Sequence, residues 1–501
     1  MFGRRKRPMN RPVKPESYVP PTLPEYGHRP RTRRDFLSCG LAAGVGSVLM
    51  PTAGGVLLPW RTVLAATLAD CGDTGAAAGI ARPMGFICID CAGGSNFIGS
   101  NIMVGGPGGQ MDQAGIDYSA LGLPGNMAED VVSINGADGL MFQADSAILR
   151  GITGSTSDTT RANMDGAVFP CASNDDSGNN QLNPAYAIAQ AGAKGQLTAL
   201  VGTRNSDSGG KSQAIKVDAS LRPSVISRSS DATGLVDTGG LGGANFVADA
   251  IQQISAMKLN RIQEEKAMED IIHCASLLSA KATEDFANPA LLDPAQDQMV
   301  NAAFPDLGNQ TLDRAAGIAK LVIDGFAGAG TVEIGGADYH NGSRARGEAK
   351  DEEIGQAIGG IMELAALKQT PIMVFVISDG SVFSNGNTDD SGGGRGKGTW
   401  NGDDGSKGAG FFLVYNPVAA PAMRAANSRQ VGFVNSGASV SADGSPVAGN
   451  PATLAEAAVM NYMSMNAGEA GLSSFNQMFS GSAISGAAMT NAHAVFQGLN
   501  A

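Results

Sequence analysis

The chain has 501 residues, with 35 Lys and Arg against 47 Asp and Glu, a net charge of −12, 69 Gly, 6 Cys and 4 His. Residues 1–69 carry 11 basic and 3 acidic side chains, which leaves 24 and 44 for the rest and a net of −20 there. So acidic a body repels nucleic acid and anionic lipid, which removes both as expected partners. Apolar residues, 43% of the chain, gather into short runs between Gly/Asn/Ser/Asp-rich loops, which excludes a disordered protein.

The N-terminal stretch holds Thr32-Arg33-Arg34-Asp35-Phe36-Leu37, then an apolar run diluted by Gly40, Gly44, Gly46, Pro51, Gly54 and Gly55. The segment resembles a bacterial twin-arginine export signal, with small residues at Leu64–Ala69 for cleavage. Gly and Pro make it a poor membrane anchor. The resemblance implies a signal over 1–69, the twin-arginine translocase as partner during export, and a periplasmic or extracellular protein exported folded. Membrane contact is expected only during export or through an uncleaved signal.

Beyond it, short and nearly continuous apolar runs predict strands at Met84–Asp90, Leu197–Val201, Thr331–Ile334, Pro371–Ser378, Phe411–Tyr415 and Gln430–Val434. Strands apolar on both faces belong to a mainly parallel sheet covered by helices. Helical spacing predicts helices over Ala244–Leu278, Leu312–Ala327, Glu348–Leu367 and Thr453–Met465, and the second and third of these run into strands as βαβ units require. Four polar stretches, Gly151–Asn183, Thr203–Lys211, Ser227–Gly243 and Gly380–Gly410, read as loop insertions in a domain spanning 70–501. Cys88-Ile89-Asp90-Cys91 has redox spacing but sits at a strand end, where buried thiols or an ordinary disulfide are expected.

Ligands of an open α/β sheet bind beyond the carboxyl ends of its strands. The expected rim carries Asp90 with Gly93-Gly94-Ser95, Arg204, Asp338 with His340, and Asp379. Carboxylates gathered at one edge repel unless a cation intervenes; Asp with His suits Zn²⁺ or Mn²⁺, and oxygen ligands alone suit Ca²⁺ or Mg²⁺. Asp389-Asp390 and Asp403-Asp404 lack EF-hand spacing and read as solvated loop.

The succession of Phe86–Asp90 with Gly93-Gly94, Asn183–Gly202, Val332–His340 and Met373–Gly380 resembles the bacterial, twin-arginine-exported, sulfatase-like family of unknown function, related to the alkaline phosphatase and sulfatase superfamily. The resemblance implies a three-layer α/β/α sandwich, alkaline-phosphatase-like, and hydrolysis of phosphate or sulfate esters. Ser95 or Ser100 would supply the hydroxyl and Arg204 would clamp the anion. The family's acidic residue after the first turn is replaced near Asn96 or Gly99, its Arg falls near Val382, and its Asp-His-Gly becomes Asp403-Asp404-Gly405. With His28, His273 and His493 elsewhere, the expected site is reduced to one divalent cation held by Asp90, Asp338, His340 and Asp379. The alternatives are a catalytically inactive relative that binds or assembles in the cell envelope, and a redox protein using Cys88 and Cys91.

Overall fold

The computed structural model describes residues 83–499, apart from Ala92, 174–182, Lys194, Gln196, 203–223, 237–290, Asn341, Asp379 and 425–427. The export segment, the expected helix over Ala244–Leu278, Arg204 and Asp379 lie outside the described residues.

The core is a seven-stranded sheet in the order β4 (Met164–Pro170), β11 (Ala409–Tyr415), β8 (Ile372–Ser378), β1 (Gly85–Cys91), β7 (Ala327–Glu333), β5 (Thr198–Gly202) and β6 (Ser224–Val225). Strands β8, β1, β7, β5 and β6 pair in parallel, while β11 runs antiparallel to both β8 and β4. Two short antiparallel pairs lie outside it, β2 (Val131–Ser133) with β3 (Met141–Gln143), and β9 (Val382–Asp389) with β10 (Lys397–Asp403).

Period-two alternation assigns each strand residue to one face. Ile87, Ile89 and Cys91 of β1 join Val374, Val376, Phe411 and Leu413 in one core; Phe86 and Cys88 join Met373, Phe375, Phe412 and Val414 in the other. The first core is closed by α1 (Ala147–Ser155), α4 (Gln298–Ala303), α5 (Gln310–Ile323) and α6 (Arg344–Leu367). The second is closed by α3 (Ala185–Gln190) and α7 (Pro451–Met478), with α8 (Ala487–His493) against α7. This is the expected α/β fold, with helices on both faces of a mainly parallel sheet. Side-chain caps start the long helices: Asn309 accepts from the Thr311 and Leu312 N–H groups, Ser343 from Arg346, and Asn450 from Ala452 and Thr453, with Pro451 at the first turn. Helices α1 and α6 cross at Gly151 and Gly355, where an added Cβ would meet the Glu352 and Ile148 carbonyl oxygens at 2.2 and 2.1 Å.

Three expectations change. Gly151–Asn183 is not an open loop: it holds the end of α1, then α2 (Asp158–Ala162) and the buried strand β4, whose Val168 and Phe169 fill the two cores. Gly380–Gly410 folds as the β9–β10 hairpin, anchored by the buried cluster of Val382, Trp400 and Tyr339. Gln430–Val434 makes only single bridges, Val168 with Gln430 and Val434 with Val440, at the outer edge of β4. The cysteine spacing also resolves: Cys88 and Cys91 form no disulfide and, three residues apart on one strand, face opposite cores. A disulfide between them would have to cross the sheet, so the redox reading has no geometry behind it.

Candidate metal centre

At the carboxyl rim of the sheet, three connections interlock. The turn after β1 donates the Ser95 N–H to Ser378 Oγ at the end of β8 (3.0 Å), and Ser95 Oγ donates to the Ala337 carbonyl (3.2 Å). The loop after β7 starts with the Ile334 N–H on the Asp90 carbonyl (2.9 Å). The hairpin is tied in where the Asp404 N–H reaches the Ser381 carbonyl (2.8 Å) and Val382 pairs with Asp403.

These ties bring Asp338 and His340, from the loop after β7, against Asp403, from the last residue of β10. One ligand atom from each lies within 4.8 Å of the other two. His340 Nδ1 touches Asp338 Oδ1 and is 2.9 Å from Asp403 Oδ1. Both Asp338 Oδ1 and His340 Nδ1 are shielded from solvent yet make no hydrogen bond. His340 Nδ1 thus sits between two carboxylate oxygens, an arrangement that an ion pair or a bound cation satisfies equally. Two oxygens and an imidazole nitrogen suit a divalent ion. The group can hold a metal ion, and the three side chains remain 40–43% exposed, which leaves coordination positions open.

Of the expected ligands, the structure thus brings Asp338 and His340 together. Asp90 is buried beneath the rim and does not join the three converging residues. Asp403, read from sequence as solvated loop, takes part instead; the signal for it was its position where the resembled family carries Asp-His-Gly. Ser95 and Ser100 are 1% and 0% exposed, so neither hydroxyl faces solvent. The Ser95 and Asn96 N–H groups of the glycine turn are already bonded, to Ser378 and to Tyr339.

A buried charge network fixes the hairpin to α6. Glu348 accepts from Arg344 (2.6 Å), Lys397 of β10 (2.9 Å) and Arg150 of α1 (2.9 Å), and the Arg344 guanidinium lies 4.5 Å over the Trp400 ring. Burial would raise the Glu348 carboxyl, but Arg344 and Lys397 outweigh it and hold it below the ordinary glutamate range. Burial lowers the Lys397 ammonium against the pull of Glu348. These charged residues add to the apolar anchor of Val382, Trp400 and Tyr339 in fixing the hairpin to α6.

Compared with family models, with curated proteins and with solved structures, the chain matches none of them, so the centre stands on its own geometry.

Proposed function

We propose that this protein is an exported, sulfatase- or phosphatase-like hydrolase of phosphate or sulfate esters with a single-ion centre, in which Asp338, His340 and Asp403 hold one Zn²⁺ or Mn²⁺. The observation that carries the reading is the convergence of two carboxylate oxygens and an imidazole nitrogen at the carboxyl rim. Three protein ligands with open positions are the pattern of a catalytic rather than a closed structural site. An ion held there would supply Lewis-acid polarisation of an ester oxygen and a lowered water pKa. The resemblance of the N-terminal stretch to an export signal, and of the motif succession to the sulfatase-like family, supports the compartment and the substrate class.

The burial of Ser95 and Ser100 favours a second reading, a metal-binding but catalytically inactive component of the cell envelope, because neither of the two expected hydroxyl nucleophiles meets solvent. Metal analysis of the purified protein, with aryl phosphate and aryl sulfate hydrolysis before and after chelation, tests both. One equivalent of metal with chelator-sensitive hydrolysis supports the hydrolase. Metal without hydrolysis supports the binding role, and a protein free of divalent metal overturns both.

A further inference from the structure

Tyr339 stands between the two ligands of one loop, and its environment is built. The burial alternates along Ala337, Asp338, Tyr339 and His340, inward, outward, inward, outward. Alternating burial of this kind puts successive side chains on opposite sides, so seating Tyr339 inward leaves its two neighbours outward together. The Tyr339 side chain is fully buried, with its ring 5.9 Å from that of Trp400. Its Oη accepts the Asn96 N–H (2.8 Å) and donates to Asp351 Oδ1 of α6 (2.9 Å). Asn101 Nδ2 donates both to Asp351 Oδ2 (2.8 Å) and to the Asn96 carbonyl (2.9 Å), which closes the network between the β1 turn, the ligand loop and α6.

We infer that Tyr339, clamped by Asn96 and Asp351, is the positioning residue of the metal centre, its hydroxyl fixing the spacing of Asp338 and His340. This rests on the proposed metal centre. Buried polar networks of this kind specify one arrangement when every member is satisfied. Partners behind the ligands of a metal orient them, and their loss costs about 10–100-fold in affinity.

The test is titration of the apo full-length protein with Co²⁺ and with Zn²⁺, comparing the parent with Tyr339→Phe. The expected result is an unchanged fold by circular dichroism, Zn²⁺ binding weakened about tenfold or more, and an altered Co²⁺ visible spectrum at saturation. Asp351→Asn, which turns one of the two acceptor oxygens into a donor, moves both readouts the same way and carries the test if Tyr339→Phe does not fold. Unchanged affinity and spectrum in both variants, with a parent that binds, overturn the positioning role alone. A parent that binds neither ion overturns the centre and this role together.

Discussion

Gly93 and Asp338 are in contact: a Cβ built on Gly93 would lie 2.5 Å from the Asp338 Cβ, and Gly93 holds φ +127°. The turn after the first strand thus forms the wall against which Asp338, the first of the three converging residues, leans. Gly93→Ala is expected to be strained in backbone and to push Asp338 out of register, costing about 1–3 kcal/mol of stability. Urea denaturation reads the first effect and metal titration the second; a variant that binds metal as the parent does would show that the wall is dispensable.

Adjacent aspartates in the hairpin take different partners. Asp403 Oδ1 faces His340, whereas Asp404 Oδ1 accepts the Ser406 N–H (2.9 Å) and hydroxyl (2.6 Å). Asp403→Asn is expected to weaken metal binding by more than the roughly 10–100-fold typical of outer partners. Asp404→Asn keeps its amide oxygen for Ser406 and leaves affinity unchanged. Equal loss in both variants would point to general disturbance of the hairpin instead.

Removing Glu348 strips one acceptor from three cations, two of them almost wholly buried. Leaving buried charges uncompensated typically costs about 3–5 kcal/mol. Glu348→Ala is therefore expected to destabilise on that scale and to loosen the hairpin, seen as a red shift in Trp400 emission. A fully stable variant would mean that Asp145, which also pairs with Arg150 and Lys397, takes over those two cations.

Stability should depend on pH through Asp351. Burial, then the charge of Glu348, push its carboxyl up to about 7 against the hydrogen bonds of Asn101 and Tyr339. An unfolded aspartate ionises near about 3.9, so the folded state holds the proton longer. A raised acid stabilises fully below the unfolded value and loses that contribution as pH rises through about 7. The parent is expected to lose stability between about pH 4 and 7 relative to Asp351→Asn, measured by thermal unfolding across that window. Glu348 works with the opposite sign: its lowered carboxyl stabilises above the ordinary glutamate range and fails only on acidification.

Cys88, Cys91 and Cys171 are buried and stand outside any disulfide. Burial pushes Cys88 well above the usual thiol value, with the charges of Asp90 and Cys91 adding to it, and pushes Cys171 up to about 12. All three are expected to escape alkylation in the native protein and to react fully once unfolded, as mass spectrometry of the peptides will read. Native labelling of Cys88 would reopen a redox role.

The sheet was legible because its strands are buried on both faces: Phe86–Asp90 and Met373–Ser378 have no polar interruption that a helix or exposed strand would need. Strand β4 was hidden because Asp165 and Gly166 break its apolar run, Asp165 being there to pair with Arg429 (2.8 Å). The hairpin escaped notice for a related reason. Its strands face solvent along most of their length and hold on through Val382, Trp400 and the ammonium of Lys397, and a buried lysine looks in sequence like any surface lysine. Asp338 and His340 could be found because two residues on one loop announce themselves by spacing. Asp403 is 63 residues further on and meets them only through tertiary pairing, which no local pattern encodes.

Because β11 enters the sheet against the direction of β8, the chain leaving β8 and the chain entering β11 share one rim. Whatever is spliced between those strands begins and finishes beside the ligand loop, whatever its size. The molecule therefore has a docking bay at which a whole excursion can be exchanged, lengthened or trimmed while the seven strands keep their places, and chemistry at the rim can be retuned there without rebuilding the scaffold.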